Sequence, residues 1–307
     1  MDINLLPENI VLKISKDGLK FTKRDSVVES NLPLNLSELR DELSKMDFLT
    51  YYRNVGGKYA RTEDVEKLKM PPFAFMFYYL FCIKGVIPTP KVMCDTYIRN
   101  YCIKIGDTDC SLKPQYTDNS ELVFSESSIR GRICRAYNSF NRELELLFQL
   151  FEVTPDDFEV YYSVQDDFYR GVDICIVKDK TFYGVASYMN SENSTKYRKL
   201  KESYRQTYDN ISLIPVVAVF ENNKDGLESN IVNYGDVKAY EPGTAQKIID
   251  TILNVKQHFD IKIFEKDVIC PSCGHIMKKR VATTGKYAGN SFWGCGNYPK
   301  CTQIVNI

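Results

Sequence analysis

Four cysteines near the carboxyl end are the residues of this sequence best suited to chemistry. Two residues separate Cys270 from Cys273, five separate Cys295 from Cys301, and 21 lie between the two pairs. Zn²⁺ prefers four such ligands in a tetrahedron, and one tight turn can supply two of them. So short a segment buries too little apolar surface to fold alone, and a bound metal would supply the missing stability. We therefore predict a structural zinc site.

Cations and aromatic rings lie between and around these cysteines. Residues 270–307 contain five basic residues and no acidic one, and they include Trp293, the only tryptophan. Basic side chains neutralise phosphates, and aromatic faces stack on unpaired bases. We expect this segment to bind DNA, single strands in particular; the alternative is that Trp293 packs in the segment's own small core. The residues predicted to contact DNA are Lys278, Lys279, Arg280, Lys286, Trp293, Tyr298 and Lys300.

Three stretches of this segment resemble a known module. "CPSCG" at 270–274, "GKYAG" at 285–289 and "FWGCGNYPKC" at 292–301 are similar to the C4 zinc ribbon at the carboxyl end of type IA DNA topoisomerases. The resemblance covers about 40 of the 307 residues. It implies a DNA-binding module without topoisomerase activity, because the rest of the chain lacks the length of that enzyme.

A second candidate site lies at Asp173, in the stretch "GVDICIVKDKTFYGVASYMN" at 171–190. The stretch predicts two apolar strands joined by a Lys-Asp-Lys turn. An aspartate that enters an apolar strand needs a partner or an ion. Before it, residues 127–153 place apolar side chains on one helical stripe. After it, the apolar run at 213–220 predicts a central strand buried on both faces.

The order of one helix, three strands, a polar helix near 192–208 and a further strand resembles the PD-(D/E)xK restriction-endonuclease-like superfamily. The resemblance implies Mg²⁺ bound by an acid on the second strand and by an acid or glutamine on the third, where a lysine follows. Asp173 matches the first position, whereas Ala186 and Tyr188 stand at the other two. Alanine cannot bind a metal, and tyrosine cannot replace the cationic amine.

Residues on the neighbouring helices could replace the missing groups, since some members of that superfamily move a catalytic residue in this way. Glu143 lies at the edge of the apolar helical stripe, and Lys199 lies on the polar helix after the third strand. We predict that Asp173 and Glu143 hold Mg²⁺ and that Lys199 stabilises the phosphate. The alternative is that Glu143 is a surface acid and that Lys199 belongs to a solvated face.

The first 125 residues carry no catalytic motif. Short capped helices there predict a mainly helical domain, for recognition or for packing and dimerisation. The predicted fold class is α/β, with three parts. They are a helical domain at 1–125, a restriction-endonuclease-like domain with a mixed sheet at 126–262, and a zinc ribbon at 266–307.

Composition narrows the class of protein further. The 40 basic and 40 acidic residues give zero net charge, which argues against a uniformly basic nucleic-acid coat protein. No stretch approaches the roughly 20 apolar residues of a membrane span, so we expect a cytoplasmic protein without a membrane partner. The six other cysteines are scattered, which favours buried thiols over disulfides. The oligomeric state is left open.

These patterns predict a DNA-binding protein, a metal-dependent nuclease of a defence or mobile-element system. The alternative is a non-catalytic nucleic-acid-binding or adaptor protein in which the nuclease-like fold has lost its metal.

Metal analysis tests the zinc site. We expect purified protein to contain one zinc per chain, because the four thiolates fill the coordination sphere. Cys270→Ser or Cys295→Ser should release it, whereas Cys82→Ser, outside the motif, should not. Absence of stoichiometric metal in the purified protein would exclude the site.

Overall fold

A computed structural model of the chain describes residues 10–23, 26–117, 121–189, 211–218, 229–258, 277–281, 291–295, 299 and 301–306. The described part is mixed α/β. None of its helices combines the length and apolar character needed to cross a membrane. Its seven α-helices are α1 Leu36–Ser44, α2 Phe48–Asn54, α3 Glu63–Lys67, α4 Phe73–Lys84, α5 Pro90–Tyr101, α6 Glu126–Val153 and α7 Thr244–His258.

The described strands form one large sheet and three small ones. The large sheet contains β1 Ile10–Ser15, β2 Gly18–Lys23, β3 Ser26–Ser30, β7 Phe158–Ser163, β8 Ile174–Lys178, β9 Thr181–Met189 and β10 Ile211–Ala218. The small sheets contain β4 Cys102–Ile105, β5 Asp109–Leu112 and β6 Phe124–Ser125; β11 Ile231–Tyr234 and β12 Val237–Tyr240; and β13 Met277–Val281, β14 Ser291–Cys295 and β15 Ile304–Asn306.

The large sheet has the strand order β10-β9-β8-β7-β1-β2-β3. Only β9 and β10 pair in parallel; the other neighbours are antiparallel. The hairpin predicted from 171–190 is confirmed as β8 and β9. Its two turn residues, Asp179 and Lys180, have φ angles of 49° and 64°, as in the type I′ turns that match the twist of paired strands.

Strands β1, β2 and β3 belong to the same sheet as the middle of the chain, because β1 pairs with β7. One core joins side chains from Ile10 to Ile252. The stretch 1–125, predicted to be a mainly helical domain, contains helices α1 to α5 and, where it is described, also the six strands β1 to β6, which its sequence did not suggest. The burial of Ile10, Leu12 and Ile14 beside an exposed Val11 follows the alternation expected of a half-buried strand.

Helix α6 lies at the centre of the fold. Ser125 caps its amino end by accepting a hydrogen bond from the backbone N–H of Ser127. More than half of its 28 residues are buried. The stripe predicted from the sequence is confirmed, since all its members are buried: Ile133, Tyr137, Phe140, Leu144, Leu147 and Phe151. Helix α4 is also apolar, and its residues Phe75 to Phe81 are buried.

The prediction of a central strand at 213–220 is wrong for the described residues. Strand β10 covers part of that run and lies at the end of the seven-stranded sheet. Pro215 has no N–H to donate, so a position on the edge suits it. Val216 and Ala218 are nevertheless buried, which accounts for the apolar composition.

The scattered cysteines follow the expectation of buried free thiols. Cys82 is half-buried and free. The others are free and buried: Cys94, Cys102, Cys110, Cys134 and Cys175.

A buried ion pair ties α1 to α6. Glu145 has no exposed surface and accepts hydrogen bonds from Arg40 at 2.8 and 2.9 Å. Gln149 also donates to this carboxylate, at 2.8 Å, and to the carbonyl oxygen of Tyr240, at 3.2 Å. Burial raises the pKa of Glu145 above its ordinary value of 4.5, although Arg40 and Gln149 act in the opposite direction.

Removing the arginine tests this pair. Arg40→Met would leave a buried carboxylate without its cation, and we expect it to lower the free energy of unfolding by about 3 kcal/mol. Asp41→Asn, on the exposed side of α1, should change it by less than about 0.5 kcal/mol. Urea denaturation measures both, and equal effects would contradict the role of the pair.

The raised pKa of Glu145 should also make the free energy of unfolding depend on pH. Because the folded state binds this proton more readily, the stabilisation from protonation is complete below the unfolded pKa. It is lost as pH rises through the folded pKa. We therefore expect the unfolding free energy of the wild type to decline over that window relative to Glu145→Gln. Parallel curves would show that the carboxyl has an ordinary pKa.

Candidate functional site

Asp173 lies where the chain enters β8. A π-helical turn at Asp166–Arg170 precedes it and ends at Gly171, whose φ of 61° suits glycine. The Asp173 backbone N–H donates to the carbonyl oxygen of Val185 at 2.9 Å. Its carboxylate accepts the backbone N–H of Ser187 at 2.6 Å. Asp173 is therefore fixed to β9 at two points, and only 8% of its surface is exposed.

Two further acids lie close to the same tyrosine as Asp173. Tyr78, on α4, is buried, and burial raises the pKa of its hydroxyl well above the ordinary value. The negative charges of Glu143, Asp167 and Asp173 raise that pKa further. Because Coulomb interactions fade with distance, all three carboxylates lie within electrostatic range of this phenol. They come from three elements: α6, the π-helical turn and the start of β8.

Tyr162 links this group to β7. Its ring stacks on that of Tyr78 with 3.7 Å between centroids and 26° between planes. Its hydroxyl donates to Asp167 Oδ2 at 3.1 Å. Burial raises the pKa of Tyr162 well above its ordinary value, and Asp167 and Glu143 contribute in the same direction. Both phenols therefore stay protonated and neutral and do not act as bases.

Tyr240, on β12, is a third buried phenol near the acids. Its hydroxyl lies 2.8 Å from Ser187 Oγ and donates to the carbonyl oxygen of Val216 at 3.1 Å. Burial raises the pKa of Tyr240 to about 12, Arg142 and Ser187 lower it, and Glu143 and Asp173 raise it. Glu143 and Asp173 thus act together on two different phenols.

Two of the three residues predicted to be catalytic, Asp173 and Glu143, lie in the described part of the chain. Glu143 is half-buried on α6 and acts on the same phenols as Asp173. Lys199 lies outside the described residues. Ala186 is fully buried, and Tyr188 is half-buried.

The carboxylate oxygens of Asp173 and Glu143 are of the kind that bind a hard cation. Mg²⁺ takes oxygen ligands, keeps several waters, and is held through one or two carboxylates plus substrate phosphates. Asp173 and Glu143 would supply two carboxylates of this kind. Among the described residues, no three or more histidine, cysteine, aspartate or glutamate side chains are grouped so that they could hold a metal. A site made by these two acids would therefore depend on water and substrate oxygens for its other ligands.

The carboxyl-terminal segment forms the antiparallel sheet β13-β14-β15 where it is described. Cys295, at the end of β14, is buried, and its N–H donates to the carbonyl oxygen of Gln303 at 3.0 Å. Cys301 is half-buried. Cys270 and Cys273 lie outside the described residues, so the structure provides no test of the zinc site.

The predicted DNA contacts fall partly on this sheet. Arg280, which is exposed, pairs with Phe292, while the backbones of Lys279 and Lys278 pair with Trp293 and Gly294. Trp293 is half-buried. This degree of burial is compatible with both alternatives, a ring that stacks on bases and a residue of the segment's own core. The other predicted contacts, Lys286, Tyr298 and Lys300, lie outside the described residues.

No protein-family model, curated protein or solved structure matches the chain. The assignment of the site therefore depends on its geometry and on the residues present.

Sequence reasoning did not select several members of the site. Asp167 was visible beside Asp166, but paired acids are common in turns. Tyr78 and Tyr240 are separated from Asp173 by many residues, and no local pattern connects them. Only tertiary packing brings these side chains together.

The bond between Asp173 and Ser187 can be tested by substitution. Asp173→Ala would leave a buried N–H without this acceptor, and we expect a loss of about 1–3 kcal/mol in the free energy of unfolding. Asp173→Asn retains an acceptor oxygen and should lose less. Asp179→Asn, at the other end of the same hairpin, is the control, because asparagine tolerates its positive φ. Equal losses for Asp173→Ala and Asp173→Asn in urea denaturation would contradict the bond.

Proposed function

We propose that this chain is a DNA-binding protein whose large sheet carries a variant restriction-endonuclease-like site that cleaves DNA with a divalent metal. A role in host defence or in a mobile element is part of this proposal and rests on the resemblance alone. The observation that carries the proposal is that the charges of Asp173, at the start of β8, and Glu143, on α6, both act on the buried phenols of Tyr78 and Tyr240.

The topology supports the same proposal. Helix α6 precedes the antiparallel strands β7, β8 and β9, and β10 then pairs in parallel with β9. This agrees with the element order of the superfamily that the sequence resembles, as far as the chain is described. Asp173 lies at the start of the second of these strands, where that resemblance places a metal-binding acid.

In this proposal each residue has a defined task. Asp173 and Glu143 would hold Mg²⁺, which when bound polarises a phosphate and generates a nucleophile from water. The Ser187 N–H orients one oxygen of Asp173. Lys199 would stabilise charge on the phosphate in place of the lysine that Tyr188 replaces.

The carboxyl-terminal segment would hold the DNA. Cys270, Cys273, Cys295 and Cys301 would bind structural Zn²⁺, and the basic and aromatic residues around them would contact phosphates and unpaired bases. Single-stranded DNA is the ligand that this combination fits best. The exposure of Arg280 is consistent with a phosphate contact.

One observation favours a non-catalytic adaptor as the second candidate. The hydrogen bond from Ser187 N–H gives Asp173 a structural partner without any ion, and Ala186 adds no ligand on the neighbouring strand. Under this alternative the sheet keeps its fold, and the protein binds nucleic acid without cutting it.

A cleavage assay separates the two candidates. Single- and double-stranded DNA would be incubated with wild type, Asp173→Asn, Glu143→Gln and the control Asp179→Asn, in Mg²⁺ and in Mn²⁺. We expect each of the two site variants to lose about 100-fold or more in rate, because each removes preorganised charge from the reacting centre.

The control should cleave like the wild type. Cleavage at equal rates by all four proteins would reveal a contaminating nuclease or a different site. No cleavage under any condition, together with retained DNA binding, would favour the adaptor.

A further inference from the structure

Tyr240 is a buried group to which the proposed chemistry assigns no task. It lies on β12, outside the seven-stranded sheet, with none of its surface exposed. Its hydroxyl contacts Ser187 on β9 and Val216 on β10, which are register partners. Since the Tyr240 hydroxyl donates its only proton to the Val216 carbonyl oxygen, Ser187 Oγ must be the donor in the bond to Tyr240. One hydroxyl therefore joins two neighbouring strands at a single rung.

One residue of this pair, Ser187, also holds the candidate acid. Ser187, whose side chain bonds to Tyr240, also holds Asp173 through its backbone N–H at 2.6 Å. A short path thus runs from the phenol through one residue to the carboxylate. Any shift of Ser187 would move the hydrogen-bond donor of Asp173.

On its other side, Tyr240 is fixed to the helix that carries the second acid. The guanidinium carbon of Arg142, a buried residue of α6, lies 5.7 Å from the centre of the Tyr240 ring, within the range of cation–π attraction. Gln149, two turns further along α6, donates to the Tyr240 carbonyl oxygen at 3.2 Å. Glu143 follows Arg142 directly. Tyr240 is therefore held by α6 at both its ring and its backbone.

We propose that Tyr240 is a positioning residue that fixes the carboxylate of Asp173, on the sheet side, relative to Glu143 on α6. Its significance for metal binding rests on the function proposed above. Tyr240 touches neither the metal nor the DNA in this scheme. It acts through Ser187, and the essential group is the hydroxyl rather than the ring.

A packing role and a positioning role differ in their consequences. If Tyr240 only fills space, phenylalanine should replace it with an effect confined to global stability. If it positions Asp173, loss of the hydroxyl should loosen the Ser187 amide and weaken binding of a cation between the two acids.

The test uses full-length Tyr240→Phe with Tyr97→Phe as a matched control. Tyr97 is also fully buried, and its hydroxyl likewise donates to a backbone carbonyl, that of Pro71, at 2.7 Å. Amide hydrogen exchange at Ser187 is read by NMR, and Mn²⁺ affinity by titration. For Tyr240→Phe we expect about tenfold faster exchange at Ser187 and about tenfold weaker Mn²⁺ binding, the factor that one lost hydrogen bond supplies.

Tyr97→Phe should leave both quantities at their wild-type values. If Tyr240→Phe exchanges at Ser187 no faster than Tyr97→Phe does, the positioning role is refuted. If the wild type binds no Mn²⁺, the proposed nuclease function fails instead, while exchange at Ser187 still decides the role of Tyr240.

Ser187→Ala approaches the same bond from the other side. If Tyr240→Phe does not fold, wild-type exchange at the residue-187 amide in Ser187→Ala would by itself refute the positioning role. Ser187→Ala keeps the N–H that holds Asp173 but removes the Oγ that reaches Tyr240. We expect about the same tenfold changes, and no further change when both substitutions are combined. Additive effects of the two substitutions would show that Tyr240 does not act through Ser187.

Discussion

The burial of helix α6 is the constraint on which the rest of the described structure depends. A helix that is covered on most sides must place its polar side chains against partners within the protein, because water cannot reach them. Glu145 meets Arg40 of α1, and Gln149 meets both Glu145 and the backbone of β12. Each of these bonds fixes the position of another element, so the polar residues of α6 orient its neighbours while the apolar ones supply the core.

The candidate site follows from the same packing. Glu143 is half-buried on α6, and its charge acts on the same buried phenols as the charge of Asp173 at the start of β8. Like charges placed together in a region of low polarity repel one another strongly, and a cation would offset that repulsion. The tyrosines cannot do so, because burial keeps their hydroxyls neutral. The action of these acids on the same buried phenols is the argument for a bound metal, whereas the hydrogen bond from Ser187 to Asp173 is the argument for a structural acid.

The amino-terminal strands extend the sheet that carries this site. Strand β1 covers the edge of β7 that β8 leaves open, and Gln165 donates to the Ile10 carbonyl oxygen at 2.6 Å. The chain after β7, which includes Asp167, is thereby tied to the start of β1. Residues far apart in the sequence thus support one end of the hairpin on which Asp173 lies.

Local pattern was sufficient for the elements with strong periodicity. The sequence alone predicts the apolar stripe from Ile133 to Phe151, the hairpin around Asp179 and the acid at the start of β8. It does so because side-chain periodicity and turn residues are local properties. The edge position of β10, the pairing of β1 with β7 and the approach of Tyr78 and Tyr240 to Asp173 are not predicted in this way. They depend on which surfaces pack together after the chain folds back on itself. Neither the periodicity nor the spacing of residues in the sequence predicts that packing.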